Sequence, residues 1–235
     1  MNKRKEFIDG LKAGIPIGLA YLAVSFTFGI SSIFEGLSVG EAVLVSATNL
    51  TSAGQFAGLS VISASGTYFE MFLTQFVINL RYFLMSFSLS QKLDRRESFY
   101  NRFLIAFGIT DEIFAVSISQ KGKVSSHFIY GALLISTSCW CFGTFLGALL
   151  GSILPHFIVD SLLIAIYAMF ISIIITPSKH NLKILYVVVA SMLLSCFMYY
   201  MPYINQISDG FKIIIVTVVI SCIAAKLFPI KEEQQ

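Results

Sequence analysis

The sequence predicts an all-α fold, a polytopic integral membrane helical bundle, and three observations predict it. Of the 235 residues, 56% are hydrophobic and only 12% are charged, where an average soluble domain is about 25% charged. The mean hydropathy is +0.81, so too little polar surface remains to cover a water-facing globule. The apolar residues also fall into runs of roughly 20, enough for a helix to cross about 30 Å of hydrocarbon. A soluble enzyme, a disordered chain and a nucleic-acid binder are poor readings of such a chain. The net charge of +3 is no footprint for DNA or RNA, and it suits basic loops held on the cytoplasmic side of a bilayer. The 22 Phe and 16 Gly against 5 Pro suit helices packed in lipid, where small residues let backbones approach.

Eight apolar segments follow in order, near residues 12–34, 41–64, 67–90, 102–119, 128–153, 156–176, 182–201 and 210–228. The basic start, Met1 to Lys5, is followed by an apolar stretch from Ala13 to Phe34. That stretch exceeds the ~7–15 apolar residues of a cleaved signal, so it reads as a retained first span. Segment two has a Ser52-Ala53-Gly54-Gln55 centre suited to breaking, and segment three holds Glu70, Gln75, Asn79 and Arg81. Segment four is short, with Thr110-Asp111-Glu112 at its middle. The last four segments are nearly continuous aliphatic and aromatic text and read as scaffold. No linker separates domains, so one integral domain is expected over residues 1–235, with residues 1–11 and 229–235 as short cytoplasmic tails.

Charge placement tests the topology, because cytoplasmic loops near spans are enriched in Lys and Arg. Eight plain crossings from an inside N-terminus leave the cluster Lys92, Arg95, Arg96 and Arg102 outside. If segments two and four are broken or re-entrant, every basic cluster falls inside. Irregular backbone at membrane depth is tolerated where it lines a protected cavity. Both arrangements place the two termini in the cytoplasm.

Three polar constellations lie within the apolar text. Arg81, among Leu80, Tyr82, Phe83 and Leu84, costs at least ~2.5–3.5 kcal/mol at the bilayer centre unless something relieves it. It is either a structural ion pair or a fixed positive charge for a substrate carboxylate, which guanidinium binds bidentately. Asn79 lies two residues away and points elsewhere on an ideal helix. Asp111 and Glu112 either mark a helix end at the interface or divide two tasks, one pairing with Arg81 while the other stays protonatable. The Ser52 to Gln55 stretch is either small-residue packing or an unwound turn whose N–H groups meet an anion, with Gln55 adding an amide contact. Glu70, near the start of segment three, reads as interfacial, as do His127, His156 and His180 at segment ends. Cys139, Cys141, Cys196 and Cys222 lie inside apolar runs without metal-ligand spacing and read as small buried hydrophobes. No nucleotide-binding loop and no H-E-x-x-H is present. Neither an enzyme nor any metal or cofactor is implied.

At these residues the chain resembles the AzlC family, the large membrane subunit of two-component branched-chain amino acid exporters. The likeness runs through Gly14-Ile15-Pro16, Phe28-Gly29-Ile30, Ser46 to Gly58 with Ala53-Gly54-Gln55-Phe56, and Asn79-Leu80-Arg81-Tyr82. It continues through Thr110-Asp111-Glu112, Trp140, Gly143-Thr144, Gly147 and Asp160. The resemblance implies a secondary transporter of valine, leucine, isoleucine or related apolar amino acids in the bacterial cell membrane, working with a small partner of the AzlD type. On that reading Gly54, Gln55, Asn79 and Arg81 bind substrate, while Asp111 and Glu112 supply proton coupling or the ammonium site. An ion or small-solute channel and a non-transporting membrane scaffold are the alternatives.

Overall fold

The computed structural model describes residues 3–94, 97–151, 153, 171, 174–175, 178–179, 181–202 and 207–228. Their helices, in chain order, are α1 (Lys3–Phe34), α2 (Val39–Thr48), α3 (Ala53–Ser63), α4 (Tyr68–Lys92) and α5 (Phe99–Gly108). Then come α6 (Asp111–Ile118), α7 (Ser126–Leu150), α8 (Leu182–Tyr200) and α9 (Asp209–Leu227). The described residues form no β-strand. Five of the helices, α1, α4, α7, α8 and α9, are long and apolar enough to cross a membrane.

The expected eight segments therefore resolve differently. Segments two and four are each two short helices, α2 with α3 and α5 with α6, of 8 to 11 residues apiece. At 1.5 Å per residue each half reaches only about 12–16 Å, half of a hydrocarbon core. The segment expected at 156–176 lies almost wholly outside the described residues, as do Arg95, Arg96, Asp160, His156 and His180.

The backbone shows why both helices stop. After α2, Asn49 is extended, at φ −139° and ψ 97°, and Ser52 takes the left-handed region at φ 49°. A non-glycine residue rarely adopts that conformation, so helix cannot propagate through it. After α5, Ile109 and Thr110 are both extended, and Thr110 begins α6 afresh by accepting a hydrogen bond from the Ile113 N–H at 3.4 Å. Such a side chain replaces a partner that the first helical turn lacks.

The chain forms two compact units, Met1–Phe56 with Asn79–Leu163, and Ala57–Ile78 with Ile164–Gln235. In the first, α1 lies against α7 along glycines. Gly10 meets Phe128, Gly14 meets Ala132 and Gly29 meets Thr144, numbers that rise together, so the two helices run parallel. A Cβ at Gly147 would overlap the Phe26 carbonyl oxygen, so only glycine allows this approach. A core of Ile17, Leu89, Ile105, Ile113 and Ile129 ties α1, α4, α5, α6 and α7 together.

One end of this unit gathers the charged loops. Lys3, Asp94, Ser98, Asn101, Lys121, Lys123 and His127 line a single cavity of about 880 Å³. The Lys92 ammonium donates to the Ile118 carbonyl, and Lys123 donates to the Gln91 carbonyl at 2.7 Å. The end of α4, the start of α5, the end of α6 and the start of α7 thus meet beside the start of α1. Segment four enters and leaves at the same end.

In the second unit, Glu70 is buried and accepts a hydrogen bond from the Ser208 hydroxyl. An α9 that begins with Ser208-Asp209-Gly210 can come this close because a Cβ at Gly210 would stand 2.7 Å from the Glu70 carboxylate. The cysteines also differ from expectation. Cys139 and Cys141 are partly exposed, and Cys196 and Cys222 lie on exposed faces of α8 and α9. A span bathed in hydrocarbon gains nothing from hiding a small apolar side chain, so a thiol there need not be buried.

Candidate functional site

The two breaks in the first unit are joined by side chains of α4. Arg81 forms an ion pair with Asp111, and its other guanidinium nitrogen donates to the Tyr82 hydroxyl at 3.2 Å. The guanidinium also lies 4.9 Å from the centre of the Tyr82 ring, an attractive position for a cation. The Tyr82 hydroxyl in turn donates to the Thr51 carbonyl, at 3.4 Å, in the first break. One arginine and one tyrosine therefore hold both interruptions.

Asp111 and Glu112 occupy the first turn of α6. A helix N-terminus carries roughly half a positive charge, so both carboxylates are stabilised there. Consecutive helical residues point about 100° apart, and the structure uses that difference. Asp111 faces Arg81, while Glu112 accepts a hydrogen bond from the Tyr21 hydroxyl of α1. Tyr21 also lies 2.6 Å from the Thr110 hydroxyl, tying the α6 cap to α1. Arg81 and Asp111 remain 39% and 38% exposed, so the pair is accessible rather than sealed.

The first break is built from uncharged groups. Gln55, 2% exposed, donates from Nε2 to the Ser46 hydroxyl at 3.1 Å. The Ser46 and Thr144 hydroxyls are 2.7 Å apart, and Thr144 donates to the Trp140 carbonyl at 3.1 Å. The Trp140 ring packs edge-on against Tyr21, 5.2 Å between centroids. Phe28 and Phe56 make a similar apolar contact at 5.3 Å. Gly54 is buried, and its N–H turns back on the Thr51 carbonyl at 3.3 Å. Asn79 is half-buried on α4, about 200° round the helix axis from Arg81 and so on another face.

The structure thus unites Arg81 with Asp111, sets Glu112 on a separate partner, and gives Gln55 a network of its own. Sequence reasoning missed Tyr21, Ser46 and Thr144. A hydroxyl in apolar text was their only signal, and it does not say which hydroxyls meet.

Two comparisons agree on what kind of chain this is. The family model described as AzlC protein matches residues 16–154, a stretch that contains both breaks and Arg81. The chain belongs to the AzlC family. An uncharacterized membrane protein of Archaeoglobus fulgidus is 36% identical over 181 residues, covering 76% of this chain and 79% of that one. The inner membrane protein YgaZ of Escherichia coli K12 is 31% identical over 150 residues, 62% of this chain and 61% of YgaZ. An uncharacterized membrane protein of Helicobacter pylori is 29% identical over 161 residues, 67% of this chain and 68% of that one. No solved structure is significantly similar. The chain is a membrane protein, and AzlC membership indicates a transporter type of role.

Proposed function

We propose that this AzlC protein is the large subunit of a secondary carrier that exports branched-chain or other apolar amino acids across the cell membrane. It works with a small AzlD-like membrane subunit, is coupled to protons, and forms one integral domain with both termini in the cytoplasm. The observation that carries the reading is the link that Arg81 and Tyr82 make between two half-helix breaks. Broken helices at membrane depth are the usual setting of substrate and ion sites in secondary transporters.

A zwitterionic substrate needs a cation, an acceptor for its ammonium and an apolar wall. Arg81 is the better carboxylate site than the Gly54 backbone, whose N–H is already engaged with Thr51. Asp111 is the resident carboxylate that a substrate carboxylate must displace from Arg81. Glu112, outside that ion pair, holds either the coupling proton or the ammonium. The two uses exclude each other, which is what an exchange of proton for amino acid requires. The half-buried Phe56 ring supplies apolar surface. The cavity edged by Lys3, Lys121 and Lys123 is the cytoplasmic end, in keeping with the preference for basic residues there.

Leucine counterflow in proteoliposomes, with and without the small subunit and a pH gradient, tests this. Saturable exchange that responds to the gradient is expected. Non-saturable flux would mean a channel, and no flux in any condition would mean a scaffold.

A further inference from the structure

The polarity of the Gln55 network can be worked out from its far end. The Trp140 carbonyl can only accept, so the Thr144 hydroxyl spends its proton there. Thr144 must then accept from Ser46, which leaves the Ser46 oxygen only as an acceptor toward Gln55. With this polarity Gln55 presents its NH2 group to Ser46. Its oxygen, Oε1, points the other way. That oxygen is buried and has no hydrogen-bond partner among the described residues. A buried acceptor left unmet is costly, and native proteins seldom retain one without a use.

We propose that Gln55 serves the substrate through this oxygen, as a neutral acceptor for the ammonium group, with Ser46 and Thr144 as positioning residues that prevent the amide from flipping. The assignment rests on the transport reading above and sharpens it, for it moves Gln55 from the carboxylate end of the substrate to the ammonium end. Gln55 stands in the first turn of α3, directly after the break that Tyr82 ties to Arg81. As a neutral group it keeps its acceptor whether or not Glu112 holds a proton.

Trp140, the only tryptophan of the chain, provides a binding signal independent of transport. The full chain in nanodiscs is titrated with leucine, with isoamylamine (the ammonium alone) and with 4-methylpentanoate (the carboxylate alone), following Trp140 fluorescence. Gln55→Leu is expected to weaken the amine about tenfold or more and to leave the acid unchanged. Ser46→Ala, which frees the amide to flip, is expected to weaken the amine severalfold while sparing the acid. Gln55→Glu, which keeps acceptor oxygens and adds charge, is expected to shift preference toward the amine, and it decides the matter if the leucine variant does not insert. Equal weakening of amine and acid, no change in either, or a shift toward the acid would overturn the assignment. Failure of the carrier reading looks different: Trp140 responds to leucine, yet the proteoliposomes show no exchange.

Discussion

The two broken helices of the first unit differ in what they place at their breaks. The break between α5 and α6 holds formal charge, with Asp111 on Arg81 and Glu112 on Tyr21. The break between α2 and α3 holds none, with the amides of Asn49 and Gln55 and a line of hydroxyls in its place. Yet both helices are anchored alike at their outer ends. Ser38 and Glu41 cap α2 reciprocally, and Ser98 caps α5. The anchoring shared by the two breaks is a device for stopping and restarting a helix within a membrane. Their difference is a division of labour, in which charge that can be exchanged sits at one break and fixed direction sits at the other.

That division is tested by removing one group at a time and ranking the losses. Arg81→Ala and Asp111→Asn are expected to lower leucine counterflow about a hundredfold at normal insertion, as losing a hydrogen bond to a charged group can. Tyr21→Phe deletes one hydroxyl donated to a carboxylate and is expected to cost about tenfold. Thr144→Val interrupts a neutral relay and is expected to cost about fivefold. Counterflow rates normalised to protein inserted measure all four. If Thr144→Val proved worse than Asp111→Asn, the uncharged break would be the centre of the chemistry.

The contrast between the breaks also explains what was legible beforehand. Charge in apolar text is conspicuous because its cost in hydrocarbon demands a partner, so Arg81 and one of the two acids are legible as partners, and the structure selects Asp111, 30 positions on. The division of Asp111 from Glu112 followed from helical geometry alone. Basic clusters pointed to interruptions in segments two and four, since a full crossing at each would strand Lys92 and Arg102 on the far side. Tyr21, Ser46 and Thr144 were opaque. A hydroxyl can satisfy itself on its own helix, as Ser31 and Ser32 do, so its residue type carries no long-range message. The burial of Glu70 is opaque for a related reason: the Gly210 that lets α9 cover it lies 140 residues later. Packing between helices far apart in sequence depends on which small residues meet, and periodicity does not encode that.

The smallest expected effect concerns the base of the charged hairpin. Glu97 lies in the loop before α5 and accepts from Asn101 Nδ2 at 2.6 Å, the Ser126 hydroxyl at 2.7 Å and the Ser126 N–H at 3.2 Å. Burial raises its pKa, but these hydrogen bonds, with His127 nearby, outweigh burial and hold the carboxyl below its ordinary value. A carboxylate favoured in the fold stabilises the fold at any pH above the unfolded pKa. Its contribution fades as the pH falls through the lower folded pKa, where both states are protonated. Set at the start of α7, a carboxylate is worth about 0.3–1 kcal/mol. Glu97→Gln is therefore expected to melt below the unaltered protein at pH 7 by that margin in detergent thermal scans. The gap should close as the scans are repeated toward acid. A gap that widened there would mean that Glu97 is held protonated, and that the charged hairpin is anchored by its other contacts, Lys92 on Ile118 and Lys123 on Gln91.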